Sequence, residues 1–149
     1  MDPRNFHSLA EQLAKQTSAA YCRTAISRAY YAAYNVGVQF LEKLSLTIPH
    51  DPTSHSLVRE WLGNSGDKNM AAISKKLGDL YRDRLQADYH LNDRMPETQQ
   101  NAQARVIMAK SVIDTLDKAA KDTQQCEKIE KTIKSYENRP TYKSRPTKW

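Results

Sequence analysis

Apolar residues recur every three or four positions through most of this chain, and clusters of Pro, Gly, Asp and Ser interrupt the pattern at intervals. That period is the signature of helices burying one face. Ser8 to Gln16 reads as a short amphipathic helix with Phe6, Leu9, Leu13 and Ala14 on its apolar side. Thr17 or Ser18 offers a side-chain oxygen to the first free N–H groups of a second helix, which runs to about Leu44. Its stripe is Cys22, Ala25, Ala29, Ala33, Val36, Phe40 and Leu44, and so many alanines predict close approach of a neighbouring helix. Pro49, Asp51 and Pro52 mark a loop over 45–54. A short helix from Ser54 or His55 to Leu62 carries Leu57, Val58, Trp61 and Leu62, with Trp61 an expected core anchor, and Gly63-Asn64-Ser65-Gly66 stops it. Asp67 can cap a further long helix through Met70, Ile73, Leu77, Leu80, Tyr81 and Leu85, which weakens over Asp88–Asp93. Pro96 suits the first turn of a last helix that carries Val106, Ile107, Ile113, Leu116 and Ala120, then Cys126, Ile129, Ile133 and Tyr136. That helix runs unbroken or is interrupted near Asp122-Thr123.

The expected fold is therefore all-α, an up-and-down bundle of four to five helices over residues 1–138. Arg139-Pro140-Thr141 recurs as Arg145-Pro146-Thr147, so residues 139–149 are expected to form a basic, disordered tail. At 149 residues the chain fits one domain with a modest core. No apolar run approaches a membrane span, and the first residues lack the apolar centre of a signal peptide, so the expectation is a soluble cytoplasmic protein. Cys22 and Cys126 both fall at apolar-periodic positions, which predicts buried free thiols.

Net charge is +6, and four of the basic residues lie in the acid-free tail. The remaining 19 basic and 17 acidic residues leave the domain near neutral. A strongly basic nucleic-acid-binding face is therefore not implied by composition.

The candidate chemistry is concentrated in two segments. Arg84-Leu85-Gln86-Ala87-Asp88-Tyr89-His90 places a guanidinium and an imidazole at the end of one helix. Imidazole titrates near neutrality and can move a proton to or from a ribose hydroxyl, while guanidinium holds a phosphate by parallel hydrogen bonds. Together they suffice for transesterification at phosphorus without a metal. Six helical steps put the two side chains about 120° apart and about 9 Å along the axis, so convergence needs a loosened helix end or a second protomer. The second segment, Ser27-Arg28-Ala29-Tyr30-Tyr31-Ala32-Ala33-Tyr34, carries Ser27 and phenols that either hold Asp88 and a phosphate or form a buried helix contact. Arg82, Asp83, Arg84 and Asp88 form a charged patch in which Asp88 can pair with Arg84, and Lys75, Lys76 and Arg82 are candidates for tracking an RNA backbone. His50 and His55 flank Asp51 without companions at ligand spacing, so no metal and no cofactor are expected. His7 is expected at the surface. Tyr142 and Trp149 alternate with Lys and Arg in the tail, a pattern suited to single-stranded nucleic acid or a partner protein.

The combination Ala25-Ile26-Ser27-Arg28-Ala29-Tyr30-Tyr31-Ala32-Ala33-Tyr34, followed by Arg84-Leu85-Gln86-Ala87-Asp88-Tyr89, resembles the HEPN family (higher eukaryote and prokaryote nucleotide-binding domain), in its small stand-alone prokaryotic form. The resemblance implies a dimerising helical bundle whose members are often metal-independent ribonucleases. Their signature is an Arg and, after four to six residues, a His, in a cleft built by both protomers. It implies Arg84 and His90 as catalytic residues, with Ser27, Arg28, Tyr31, Asp88 and Tyr89 shaping the pocket. It further implies RNA as substrate, a homodimer, a toxin or defence role, and a nucleotidyltransferase-type antitoxin as partner. Leu85 departs from the polar residue that usually follows the arginine. It speaks for the alternative, a non-catalytic dimerisation or partner-binding module.

Overall fold

The computed structural model describes residues 1–139. The expected tail beyond Arg139, with Tyr142 and Trp149, lies outside the described residues. Six α-helices and one 3-10 turn, with no strand, make up the described part. The helices are α1 (Arg4–Leu13), α2 (Ala19–Lys43), α3 (Ser54–Gly63), α4 (Lys68–Tyr89), α5 (Gln99–Ala120) and α6 (Thr123–Glu137). None is long and apolar enough to cross a membrane.

Local chemistry explains the boundaries. The Asp67 carboxylate accepts from Asn69 N–H at 2.9 Å and Met70 N–H at 3.0 Å, which satisfies two orphan donors of α4. Ser18 occupies the N-cap of α2, but its hydroxyl makes no bond to the helix. The sequence leaves the last helix unbroken or interrupted near Asp122-Thr123, and the structure takes the second form. The last helix is two helices: Asp122 leaves helical backbone at φ −100°, ψ 100°, and its carboxylate accepts from Gln125 N–H at 3.0 Å, capping α6. That interruption makes six helices among the described residues rather than four to five. Pro96 opens a separate 3-10 turn, Met95–Glu97, and α5 starts afterwards behind Thr98, whose hydroxyl accepts from Asn101 N–H at 3.2 Å.

The first helix begins earlier than its apolar pattern suggests, because the Asp2 carboxylate accepts from Arg4 N–H at 2.9 Å and fixes the first turn there. This changes which residues are inside. Leu9 is 41% exposed, while His7 and Ala10 are buried. His7 is thus a core residue and not a surface one: its Nε2 lies 3.0 Å from the Val106 carbonyl, so the ring's polar edge is satisfied inside the bundle.

Helix α2 is the central element and packs on α1, α4 and α5, while α3 lies on α4. Its predicted stripe is buried throughout, and Ala25, Ala29, Ala32 and Ala33 lose all exposure. The small side chains let the neighbours come close: a Cβ on Gly37 would stand 3.3 Å from Val58 Cγ1. Trp61 is buried, as its apolar position predicts. Cys22 and Cys126 are free and buried, and burial pushes the Cys22 thiol up.

Helix α6 folds back over the α3–α4 corner. It buries Ile129 and Ile133, its Gln125 amide donates to Asp67 at 2.9 Å, and the Tyr136 hydroxyl donates to Glu60 at 2.6 Å. Gly66 makes that corner, with φ +74°. A Cβ there would lie 3.2 Å from Thr132 Cγ2 of α6. Gly66→Ala combines left-handed backbone with this crowding, and a loss of about 1–3 kcal/mol is expected from urea denaturation.

Candidate functional site

The last two turns of α4 and the middle of α2 bring together the polar residues that the sequence singles out. Arg84 is 8% exposed. One of its terminal nitrogens donates to the Tyr31 hydroxyl. Its Nε lies 3.2 Å from an Asp88 carboxylate oxygen, an ion pair one helical turn apart, but out of line for a hydrogen bond. Asp88 is held in turn by the Ser27 hydroxyl, which donates to it at 3.1 Å. Arg28 lies over the Phe6 and Tyr31 rings at 5.1 and 4.8 Å and reaches Ser27 Oγ at 3.5 Å. The Arg84 guanidinium faces four aromatic rings, Tyr31 nearest at 4.9 Å, then Tyr89, Tyr30 and Tyr81 at 5.8–6.0 Å. A permanent cation is thus fixed in place chiefly by ring faces and by one carboxylate that is itself partly exposed.

Arg84 opens on a cleft of about 910 Å³. Its walls near Arg84 are Leu85, Tyr89, Tyr81, Tyr34 and His55; further along come Asn35, Gln39, Glu42 and the 48–52 loop. Glu42 lies eleven residues beyond Tyr31 on α2, about 16 Å along the axis, so the cleft has a cationic and an acidic end.

His55 is the residue that sequence reasoning passed over as a site member. Its spacing to His50 and Asp51 offers only a metal-ligand reading, and no cluster of three or more His, Cys, Asp or Glu able to hold a metal occurs among the described residues. Its ring lies against Tyr34 at 4.4 Å, Tyr81 at 5.5 Å and Tyr30 at 5.7 Å, and its Nδ1 is 2.6 Å from the Tyr30 hydroxyl oxygen. Burial, then Arg84 and Arg59, lower its pKa, so the imidazole is neutral at pH 7. Apart from Arg59 one turn along α3, its neighbours come from α2 and α4, so no single segment announces this group.

His90 stands apart from Arg84's cleft. It caps α4 at φ −108°, ψ 73°, its side chain is exposed, and the cleft walls do not include it. Its backbone is nonetheless tied down. The buried Arg23 guanidinium donates to the carbonyls of Ala87 at 2.9 Å, Gln86, His90 and Leu91 at 3.3 Å each, and to that of Asp93, and pairs with Glu97 at 2.8 Å. The candidate RNA-tracking residues do not join the cleft either. Lys75 is exposed about 180° round α4 from Arg84. Lys76 donates to Ser111 at 2.7 Å, and Arg82 pairs with Asp79 at 3.1 Å. Tyr89, by contrast, lines the cleft and is 68% exposed, with the Arg84 guanidinium 5.8 Å from its ring centre.

Arg84 with the Tyr89 ring is suited to an anion attached to a flat, stackable group. Against protein-family models, curated proteins and solved structures, the chain shows no match.

Proposed function

We propose that this protein is a metal-independent endoribonuclease of HEPN type that acts as a homodimer. The observation that carries this reading is Arg84: a nearly buried guanidinium, oriented by Tyr31 and Asp88, that still opens on a cleft. Such a cation is preorganised for charge developing on phosphorus. Tyr89 offers a stacking face for a base of a single-stranded RNA. The ribose 2′-oxygen attacks the adjacent phosphorus, the bond to the 5′-oxygen breaks, an imidazole takes the 2′ proton, and the leaving 5′-oxygen takes a proton from water. The products are a 2′,3′-cyclic phosphate and a 5′-hydroxyl. Because His90 lies outside the cleft of its own subunit, its role requires a second copy whose α4 end faces the first. Tyr89 lines the cleft, while Ser27 and Asp88 support Arg84 from outside its walls and Arg28 lies on Tyr31. A toxin or defence role in the cytoplasm, with a nucleotidyltransferase-type antitoxin as partner, follows from the HEPN resemblance of the two segments.

A second reading is a non-catalytic dimerisation or partner-binding module. It is favoured by the engagement of Arg84 with Tyr31 and Asp88, and by Leu85 beside it in the cleft wall.

Incubation of the purified chain with mixed RNA in EDTA separates the two. The first reading expects cleavage that survives chelation, leaves cyclic phosphate ends, stops at a 2′-deoxy sugar and is lost in His90→Ala. Intact RNA at every enzyme concentration leaves the module reading.

A further inference from the structure

Tyr30 is almost fully buried, and burial pushes its phenol well above its ordinary pKa, so its oxygen keeps its proton. Among the described residues, the only hydrogen-bond partner of that hydroxyl is His55 Nδ1 at 2.6 Å. A buried O–H left without an acceptor costs free energy, so the phenol donates to Nδ1. A neutral imidazole that accepts at Nδ1 carries its own hydrogen on Nε2. No described residue bonds Nε2, and His55 forms part of the cleft wall on which Arg84 also opens. The groups packed round the ring are Tyr30, Tyr31 and Tyr34 from α2, Arg59 from α3, and Tyr81 and Arg84 from α4. The two arginines oppose a second positive charge, and no carboxylate among these groups favours one.

We propose that His55 is a neutral hydrogen-bond donor of the cleft, whose Nε2–H, together with the Arg84 guanidinium, holds an oxygen of a phosphodiester. The assignment rests on the phosphate reading of the cleft, but not on cleavage. Tyr30 is the positioning residue: it fixes which nitrogen carries the hydrogen. The same tautomer leaves His55 unable to take a proton through Nε2, so the proton acceptor for strand cleavage must come from elsewhere.

The experiment uses the full ¹⁵N-labelled chain and thymidylyl-thymidine, a dinucleotide with one phosphodiester and no 2′-hydroxyl. Long-range ¹H–¹⁵N spectra at pH 7 read the tautomer without any substitution. The expected result is protonated Nε2 and bare Nδ1 in His55, with a saturable shift of Nε2–H on adding the dinucleotide. His55→Leu is expected to weaken binding about tenfold, the scale of one hydrogen bond to a charged group. His55→Gln, which restores an N–H near the Nε2 position, recovers most of that loss. Tyr30→Phe leaves Arg84 in place and lets the Nδ1–H form appear. A parent chain with the hydrogen on Nδ1, or His55→Leu binding as tightly as the parent, overturns the assignment and leaves the phosphate reading standing. A parent chain that binds no dinucleotide overturns both.

Discussion

Arg84→Lys is expected to lower RNA cleavage by about 10²–10³-fold, the scale of losing a preorganised donor at developing charge, with helical content unchanged. Lysine keeps the charge but presents it as a point on a flexible stem, without the planar fork that lets one nitrogen meet the Tyr31 hydroxyl while another faces Asp88. It also gives up the flat contact with the ring of Tyr31 at 4.9 Å. Arg84→Ala removes the charge as well and leaves Asp88 with Ser27 alone, so it is expected to lose cleavage and to melt at lower temperature. The check is a single-turnover cleavage rate on one RNA, beside circular dichroism of each variant. An Arg84→Lys variant that cuts at the parent rate would show that the guanidinium serves the fold and not the phosphate.

Arg23→Ala is expected to give the largest stability loss of any single polar substitution in the described residues. The guanidinium gathers five carbonyls from the end of α4 and the following loop and pairs with Glu97, all from a nearly buried position. A helix C-terminus leaves its last carbonyls without partners, and here one side chain from another helix supplies them. Truncation strands the Ala87, Leu91 and Asp93 carbonyls and the Glu97 carboxylate, while those of Gln86 and His90 keep a backbone N–H, and the loss is about 3–5 kcal/mol. For a domain of this size that corresponds to a fall in melting temperature of about 10 °C or more by calorimetry. Arg23→Lys recovers only a fraction, since an ammonium cannot span the same set of carbonyls. Melting of Arg23→Ala within a degree or two of the parent would mean that water replaces the clamp at no cost.

The fold was largely legible where packing follows local period. The α2 stripe from Cys22 to Leu44 is buried in full because one long helix meets neighbours on several sides, and its alanines could belong nowhere else. The Asp67 cap was equally readable, since N-capping depends on residues two and three positions away. The first helix misled because apolarity alone placed Leu9 inside, whereas a carbonyl from α5 draws His7 in and leaves Leu9 partly in water. At the candidate site, the Arg84–Asp88 pair follows from helical spacing. The Tyr31 and Ser27 contacts follow only from how α2 lies against α4. His55 was opaque for a stronger reason: Arg59 follows from helical spacing on α3, but the phenol 25 positions away and Arg84 on α4 meet it only through packing.

The Arg23 clamp bears on His90 in one more way. It grips the residue by its main chain and leaves the imidazole unspent. A group with a rooted backbone and an idle head is poor at reaching inward over its own surface. On the homodimer reading proposed above, it would be presented across the subunit boundary, so His90 chemistry would switch on with assembly and be silent in a lone subunit.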